Sequence, residues 1–319
     1  MRQVRVPARL GLLGNPSDGF GGRVIATTID DFAATVVAEP SARWEFVAPE
    51  HEFVAPAVAE IHAALEASEL SEGLELLAAS VVRLDQEGNA APPHRVLFES
   101  DIPRQAGLSG SSAVVIGTIL ALSDGLSAVD VARLALETET DVLGWAAGPQ
   151  DRVVQAMGGL VDMRFDEPWD ANRYERLDPD LLPRCILAWS EDPGEHSGVV
   201  HAPVRDRWEA GDTDVVAAME RFAALAVEGR QALNDGSASD VWPSLAAEAF
   251  ELRTRFWSIT DTDVEMVEAI ASAGGGASLA GSGGGVVGYL QDDDALEDAT
   301  QALHDIGAES IVPTIGQPT

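Results

Sequence analysis

The sequence predicts an α+β fold of two domains, with residues 1–175 in the first and residues 176–319 in the second. Three observations support this prediction. Segments with β-type patterning are interspersed with segments whose apolar residues recur every three or four positions. A chain of 319 residues that is 46% hydrophobic can bury a core large enough for two domains. The stretch from Asp166 to Pro183 is rich in Asp, Pro and Arg, which favours a boundary there.

The first half of the chain begins with β-type segments and continues with amphipathic helices. Strands are predicted at 4–13, 23–29 and 32–39, the last two as a hairpin. Helices are predicted at 55–65 and 73–84, followed by a strand at 95–99. A further helix runs to about Ser123, and the next begins at Ser127, whose SAVD sequence fits a capping box. A helix that carries Asp151 and a strand at 160–165 complete this half.

In the second half, long helices separate strands that are far apart in the sequence. A strand at 184–189 contains the single cysteine, Cys185, which we expect to be buried. Helices are predicted at 213–233, 241–257, 263–273 and 294–306, and strands on both sides of AGSGGG and at 309–313. A sheet with helices on one side is the arrangement that this order predicts.

Composition excludes several classes of function. All 20 basic residues are Arg, so the chain lacks the lysine on which P-loop NTPases, Schiff-base enzymes and eukaryotic-type protein kinases depend. The net charge of -33 disfavours nucleic acid and anionic membranes as partners. The N-terminus lacks a signal-peptide pattern, and no apolar run is long enough to span a membrane, which predicts a cytoplasmic protein. The oligomeric state stays open between monomer and homodimer.

A cluster of glycine and serine, IPRQAGLSGSSA at 102–113, leads directly into the apolar stretch 114–122. Glycines allow backbone N–H groups to converge, and the N-terminus of a helix adds a positive dipole end. Together these features are typical of a site for phosphate groups. The alternative is a polar loop that caps a buried helix.

Three separated motifs resemble the GHMP kinases, a family that includes galactokinase, homoserine kinase, mevalonate kinase and phosphomevalonate kinase. They are PARLGLLGNPSD at 7–18, the cluster at 102–113, and SLAGSGGGVVGYL at 278–290. The commoner form of the second motif is PxxxGLGSSA, whereas GLSGSSA here contains one extra residue. That longer form, with GPQDRVVQAMGGLVDM at 148–163 and HSGVVHAPVRDRWEAGD at 196–212, resembles the glucuronokinase group of the family.

The resemblance implies a fold, a reaction and two cofactors. The fold would pair an N-terminal ribosomal S5-like domain with a C-terminal ferredoxin-like domain. The reaction would be phosphorylation of a sugar hydroxyl by ATP with Mg²⁺, with the anomeric hydroxyl of D-glucuronate or a related sugar acid as the acceptor. Other acceptors of the family, namely a neutral hexose, mevalonate or phosphomevalonate, and a ligand-binding regulator without activity, are the alternatives.

The resemblance also assigns catalytic and metal-binding roles. Asp151 matches the catalytic base, and Gly148 and Pro149 before it predict a helix start. Arg9 matches the basic residue that orients this base. Ser112 and Glu139 would bind Mg²⁺, although Glu137 and Asp141 compete with Glu139 because only one of these two helix faces can point at the site. ATP phosphates would be held by Gly107, Leu108, Ser109, Gly110, Ser111, Ser112 and Ala113.

For the acceptor, Asp18 stands where galactokinase-like kinases bind sugar hydroxyls, while Asn15 and Pro16 replace the Glu and His of galactokinase. A sugar acid also needs a cation for its carboxylate. Bidentate pairing suits arginine, which makes Arg104 the candidate and Arg152 its competitor. Gly281, Ser282 and Gly283 in the third motif would lie near the substrate, and we assign no catalytic role to His196, Ser197 or His201.

Overall fold

The computed structural model describes residues 1–48, 51–70, 73–190 and 204–318. The chain divides into two compact units, and each is built from segments that are separate in the sequence. The first unit comprises Met1–Ala8, Phe32–Ile102 and Ser109–Met157. The second comprises Arg9–Asp31, Pro103–Leu108 and Gly158–Thr319. The domain boundary between residues 175 and 176 stays a prediction.

Two long strands, β1 (Arg2–Leu13) and β2 (Arg23–Pro40), pair with each other and contribute residues to both units. In the first unit, residues 34–40 of β2 pair antiparallel with β5 (His94–Ser100). β5 also pairs, in parallel, with β3 (Trp44–Ala48), which forms an antiparallel hairpin with β4 (His51–Ala55). The β3–β4 hairpin was not predicted from the sequence.

Five helices of the first unit are α1 (Val58–Glu66), α2 (Leu74–Gln86), α3 (Gly110–Leu122), α4 (Ala128–Glu137) and α5 (Gln150–Met157). They pack in sequence order, α1 on α2, α2 on α3, α3 on α4 and α4 on α5. Ten of the thirteen residues of α3 are buried, so this helix is covered on nearly all sides. Its Gly117 lies against β2, where an added Cβ would stand 2.6 Å from Val36 Cγ2. A π-helical segment, Thr138–Val142, follows α4.

The capping box predicted at Ser127 is confirmed. Its hydroxyl accepts a hydrogen bond from the backbone N–H of Asp130 at 3.1 Å, and the Asp130 carboxylate accepts from the backbone N–H of Ser127. This exchange satisfies two groups that the start of α4 would otherwise leave without helical partners.

The hairpin predicted between residues 29 and 32 is wrong, because β2 is one continuous strand of 18 residues. The pair Asp30 and Asp31 suggests a turn in the sequence. In the structure these residues bind the C-terminal segment instead. The N–H of Asp30 donates to the carbonyl of Thr314 at 2.9 Å, and the Asp31 carboxylate accepts from the N–H of Thr314 at 2.7 Å.

In the second unit, residues 23–27 of β2 pair antiparallel with β6 (Leu160–Arg164). β6 pairs in turn with β7 (Tyr174–Leu177), a strand within the Asp-, Pro- and Arg-rich stretch that the sequence did not predict. Asp162 of β6 is buried and forms ion pairs with Arg23 and Arg230. These contacts place two cations around a carboxylate that could not stay buried alone.

The ferredoxin-like arrangement predicted for the C-terminal half is confirmed. Its elements are β8 (Cys185–Trp189), α6 (Thr213–Asp235), α7 (Ala238–Phe256), α8 (Asp261–Ser272), β9 (Gly276–Leu279), β10 (Gly285–Tyr289), α9 (Asp293–Asp305) and β11 (Glu309–Ile311). The four antiparallel strands stand in the order β11-β8-β10-β9, which is that of the β-α-β-β-α-β unit. α8 and α9 cover them with an apolar core that includes Met266, Ile270 and Leu303.

Cys185 is buried in β8 as predicted, and burial raises the pKa of its thiol to about 12. Across the described residues, none of the helices combines the length and the apolarity that crossing a membrane requires.

Candidate functional site

The glycine and serine cluster lies at the N-terminus of α3, which begins at Gly110. Ser109 is the N-cap and takes a left-handed conformation with φ of 64°, and the same region is occupied by Gln105 at 56° and Gly107 at 66°. Repeated left-handed residues turn successive N–H groups toward one side of a loop, and the first turn of a helix leaves its N–H groups free for a ligand. The segment therefore has the backbone geometry of an anion site.

In the first unit, Asp151 contacts this segment directly. The Ser109 hydroxyl donates a hydrogen bond to Asp151 Oδ2 at 2.8 Å, and Arg152 Nη1 lies 3.5 Å from the same oxygen. Asp151 is the second residue of α5, so the helix begins where Gly148 and Pro149 predict. The Asp151 carboxylate therefore lies in the first turn of α5, bound by a hydroxyl donor and close to a guanidinium.

Of the three acids near the end of α4, Glu139 is fully buried. Glu137 faces the opposite way and pairs with Arg83 at 2.5 Å and with Arg133 at 2.8 Å, and Asp141 is exposed. Glu139 Oε2 pairs with Arg152, whereas its Oε1 is buried and makes no hydrogen bond among the described residues. A buried carboxylate oxygen without a partner is a position where a cation fits.

Ser112, in the first turn of α3, is also buried. Its hydroxyl donates to Gln155 Oε1 at 2.7 Å, and Gln155 is a residue that the sequence interpretation missed. The available signal was the spacing of Asp151 and Gln155, because residues four apart on a helix share a face. The two side chains do contact neighbouring parts of the same segment.

In the second unit, Arg9 links the first half of the cluster to the third motif. Its Nη1 donates to the carbonyls of Gly107 and Ala280, both at 2.6 Å, and its backbone N–H donates to the carbonyl of Leu108 at 3.2 Å. Arg9 is 4% exposed, so these contacts are largely shielded from water. One buried guanidinium thus holds residues 103–108 against the connection between β9 and β10.

The two segments approach so closely that glycine is required at the contact. A Cβ at Gly281 would stand 2.3 Å from the carbonyl oxygen of Gly107. The same distance separates a Cβ at Gly284 from the Gln105 carbonyl oxygen, and one at Gly285 from the Ala106 carbonyl oxygen. Such distances are below any van der Waals contact, so the third motif serves as a packing surface for residues 103–108. Gly281, Ser282 and Gly283 lie in the hairpin connection itself.

Four charged residues are buried in this part of the second unit, and two of them, Arg253 and Asp263, belong to no motif. Arg253 donates from Nη2 to the carbonyl of Gly281 at 3.1 Å and lies over the Trp257 ring. Burial lowers the pKa of Arg253 to about 10, while the charges of Asp18 and Asp263 act in the opposite direction. Burial raises the pKa of Asp263, which accepts from the N–H of Gly284 at 2.9 Å. The other two buried charged residues are Asp18 and Arg9, and Arg9 is the second cation of the group.

Asp18 is buried in the 3-10 turn Ser17–Phe20. Arg104 is exposed, which leaves its guanidinium open to a ligand. The residues His196, Ser197 and His201 lie outside the described residues.

An open cavity of about 380 Å³ lies in the first unit between the α1–α2 region and the residues that follow the π-helical segment. Its wall is both polar and apolar, and Trp145 is one of the residues that line it. A flat aromatic group would fit such a surface. The lining residues are Leu65, Ser68, Leu70, Glu75, Val142, Leu143 and Trp145.

No group of three or more His, Cys, Asp or Glu side chains in the described residues is arranged to hold a metal ion.

Comparison with known proteins supports the motif assignment. Residues 75–159 match the family described as GHMP kinases N terminal domain. The chain is 36% identical over 301 residues to glucuronokinase 1 of Arabidopsis thaliana, which covers 88% of this chain and 82% of that protein.

Solved structures share the fold. Galactokinase of Lactococcus lactis, complexed with galactose, superposes with a TM-score of 0.79 at 17% identity and covers 99% of this chain and 94% of that chain. Mevalonate kinase of Methanococcus jannaschii has a TM-score of 0.77 at 16% identity and covers 100% of this chain and 98% of that chain.

The close approach of residues 103–108 to the third motif predicts that Gly281→Ala lowers both stability and any activity that depends on this segment. The new methyl group must displace a backbone carbonyl, which costs about 1–3 kcal/mol of unfolding free energy. Gly307→Ala is the control, since Gly307 has a φ of 78° but nothing within 4 Å of an added Cβ, and it carries only backbone strain. Urea unfolding of both variants checks the prediction, and an equal or larger loss for Gly307→Ala would contradict it.

Proposed function

Because the chain belongs to the GHMP kinase family, we propose that it transfers the γ-phosphoryl group of ATP to the anomeric hydroxyl of D-glucuronate or a related sugar acid. The similarity to a glucuronokinase along most of both chains is the observation that carries this proposal. The cytoplasmic location expected from the sequence stays a prediction.

The proposed phosphate site is the segment from Gly107 to Ala113. Its left-handed residues and the N-terminus of α3 offer N–H groups to an anion without any lysine. The chain has no lysine to bind phosphate, because all of its basic residues are arginine. A site formed by backbone N–H groups does not need that side chain.

The cavity beside Trp145 is the proposed position of the adenine base. The Trp145 and leucine side chains that line it suit a flat heteroaromatic ring, and the Glu75 carboxylate, which also lines it, could accept hydrogen bonds from an amino group. The cavity and the first turn of α3 belong to the same unit. The base would therefore be bound by residues of the first unit, the unit that also contains the first turn of α3.

Glu139 and Ser112 fit the requirements of Mg²⁺. The buried Glu139 Oε1 has no hydrogen-bond partner among the described residues, and Mg²⁺ commonly uses one or two protein oxygens together with substrate phosphates. The chemistry that a bound Mg²⁺ would supply is neutralisation of charge on the phosphoryl oxygens. Arg152 pairs with the other oxygen of Glu139 and fixes the orientation of its carboxylate.

Asp151 is the proposed base. Its carboxylate is held by the Ser109 hydroxyl and lies near Arg152, so its orientation is set before an acceptor binds. It would accept the proton of the anomeric hydroxyl as that oxygen bonds to the γ-phosphorus and ADP leaves. Arg9 is assigned to the same reaction, in which its buried charge would stabilise negative charge that develops during transfer.

The acceptor contacts are assigned to the second unit. Asp18 would accept hydrogen bonds from sugar hydroxyls, and Gly281, Ser282 and Gly283 would border the ring. Arg104 would pair with the carboxylate of the sugar acid, because an exposed arginine can meet it with two parallel hydrogen bonds.

The direct test is ATP consumption with a panel of acceptors: D-glucuronate, D-galacturonate, D-galactose, mevalonate and phosphomevalonate. We expect the highest kcat/KM with a sugar acid and a product that carries phosphate at the anomeric carbon. A preference for a neutral hexose or for mevalonate would replace the substrate assignment. ATP binding without turnover on any acceptor would favour a regulator.

Asp151→Asn should lower kcat by about 10²–10⁴-fold, the usual contribution of a general base. Its affinity for ATP, measured by calorimetry, should change little. Asp141→Asn is the control, because Asp141 is an exposed acid ten residues earlier in the chain. Near wild-type kcat in Asp151→Asn would remove Asp151 from the role of base.

Arg104→Ala should raise KM for the sugar acid by roughly tenfold or more, since hydrogen bonds between charged groups contribute about 1.5–3 kcal/mol. KM for ATP should stay close to that of the wild type. Arg95→Ala, which removes a partly exposed arginine of β5 that pairs with Glu45, is the control. Equal effects on both KM values would transfer the role to another cation, with Arg152 tested next.

Trp145→Ala should raise KM for ATP, because stacking of a base on an aromatic ring is worth about 1–3 kcal/mol. KM for the sugar acid should be unaffected, and Trp145→Phe should restore part of the ATP affinity. An unchanged KM for ATP in Trp145→Ala would place the base elsewhere.

A further inference from the structure

One side-chain amide in the first unit joins α5 to the segment that begins α3. Gln155 is 2% exposed, and three of its hydrogen-bonding positions are used. Its Oε1 accepts from the Ser112 hydroxyl at 2.7 Å. Its Nε2 donates to the carbonyl of Pro7 at 2.9 Å and to the carbonyl of Ser109 at 3.2 Å. We propose that Gln155 is a positioning residue that aims the lone pairs of Ser112 at the metal and phosphate site.

The hydrogen-bond pattern determines which way the amide faces. The carbonyl oxygens of Pro7 and Ser109 can only accept, so the atom of Gln155 near them must be the nitrogen. The amide oxygen must then face Ser112. A serine hydroxyl has one hydrogen, and the acceptor at 2.7 Å takes it in preference to the Ser109 carbonyl at 3.2 Å. Both lone pairs of Ser112 Oγ are thereby left available to a cation or to a donor on a ligand.

The same helix face also fixes the residue before α3. Asp151 and Gln155 are one turn apart on α5, and they bind Ser109 at two different atoms. Asp151 Oδ2 accepts from the Ser109 hydroxyl, and Gln155 Nε2 donates to the Ser109 carbonyl. Ser109 is thus held in the left-handed conformation that a residue with a Cβ seldom takes. The phosphate segment depends on α5 at both points.

This role rests on the proposed function, because it assumes that Ser112 binds Mg²⁺ with ATP. It predicts different roles for two residues of α5. Asp151 governs turnover, whereas Gln155 governs how much Mg²⁺ increases the affinity for ATP. A residue that only fills the core would not affect that increase.

The test measures ATP affinity by calorimetry with Mg²⁺ and with EDTA, which needs no turnover. In wild type, Mg²⁺ should raise the affinity. In Gln155→Leu, which cannot accept the Ser112 hydrogen, the increase should shrink by about tenfold or more, consistent with roughly 1.5–3 kcal/mol for one interaction with a charged group. ATP affinity in EDTA should fall much less, because Asp151 still holds Ser109 when Gln155 is changed. Gln86→Glu, at an exposed position at the end of α2, serves as the control for Gln155→Glu.

Gln155→Glu is a second variant, of nearly the same shape as wild type. A carboxylate can still accept the Ser112 hydrogen but cannot donate to the carbonyls of Pro7 and Ser109. Gln155→Glu should therefore keep more of the Mg²⁺-dependent increase than Gln155→Leu, whereas a packing role predicts the same increase in both variants.

Two results would overturn the proposal. In the first, a folded Gln155→Leu keeps the full increase in ATP affinity on addition of Mg²⁺. In the second, Gln155→Leu and Gln155→Glu lose ATP affinity equally with Mg²⁺ and with EDTA, which would assign Gln155 to packing. Failure of the acceptor panel would contradict the proposed function but would leave this calorimetric comparison intact, so the two can fail separately.

Discussion

The contact between residues 103–108 and the third motif is the constraint on which the second unit depends. Three glycines allow backbone to lie against backbone, and at each of them a methyl group would stand 2.3 Å from a carbonyl oxygen. Arg9 supports the contact by donating from one nitrogen to the Gly107 carbonyl, which is one of these three, and to the Ala280 carbonyl of the third motif. The residue that stabilises the contact is therefore also the one that is proposed to act in phosphoryl transfer.

Burial of Arg9 requires other charges nearby. An isolated ion in a protein interior is strongly unfavourable, and the second unit buries two arginines with two aspartates in the same region. The lowered pKa of Arg253 and the raised pKa of Asp263 show that burial outweighs the attraction between them. Asp18, at the end of the first motif, is one of the acids that stabilise Arg253. The network therefore links a residue proposed to bind sugar to the hairpin that carries Gly281, through the hydrogen bond of Arg253 to that carbonyl.

Sequence periodicity predicted most of the helices and the positions of the strands in the second half, because long amphipathic segments and glycine-flanked strands carry strong local signals. The ferredoxin-like arrangement of those strands was implied by the family resemblance. Prediction from periodicity failed where the local structure depends on a residue that is distant in the sequence. The Asp30 and Asp31 pair suggests a turn until Thr314 supplies its hydrogen bonds. Glu139 could not be separated from Glu137 and Asp141 by a rule for regular α-helices, because the segment is a π-helix. Gln155, Arg253 and Asp263 lie outside any motif, and their roles depend on which backbone atoms the fold brings to them.

The extra residue in GLSGSSA acquires a physical meaning from these contacts. Removing Ser109 would convert the sequence to the commoner GLGSSA form, so Ser109 is the insertion. A serine in the left-handed region carries a cost of roughly 1–2 kcal/mol that glycine would avoid. Two hydrogen bonds offset this cost, one from the Ser109 hydroxyl to Asp151 and one from Gln155 to the Ser109 carbonyl. The insertion therefore ties the phosphate segment to the proposed base and to Gln155 at once.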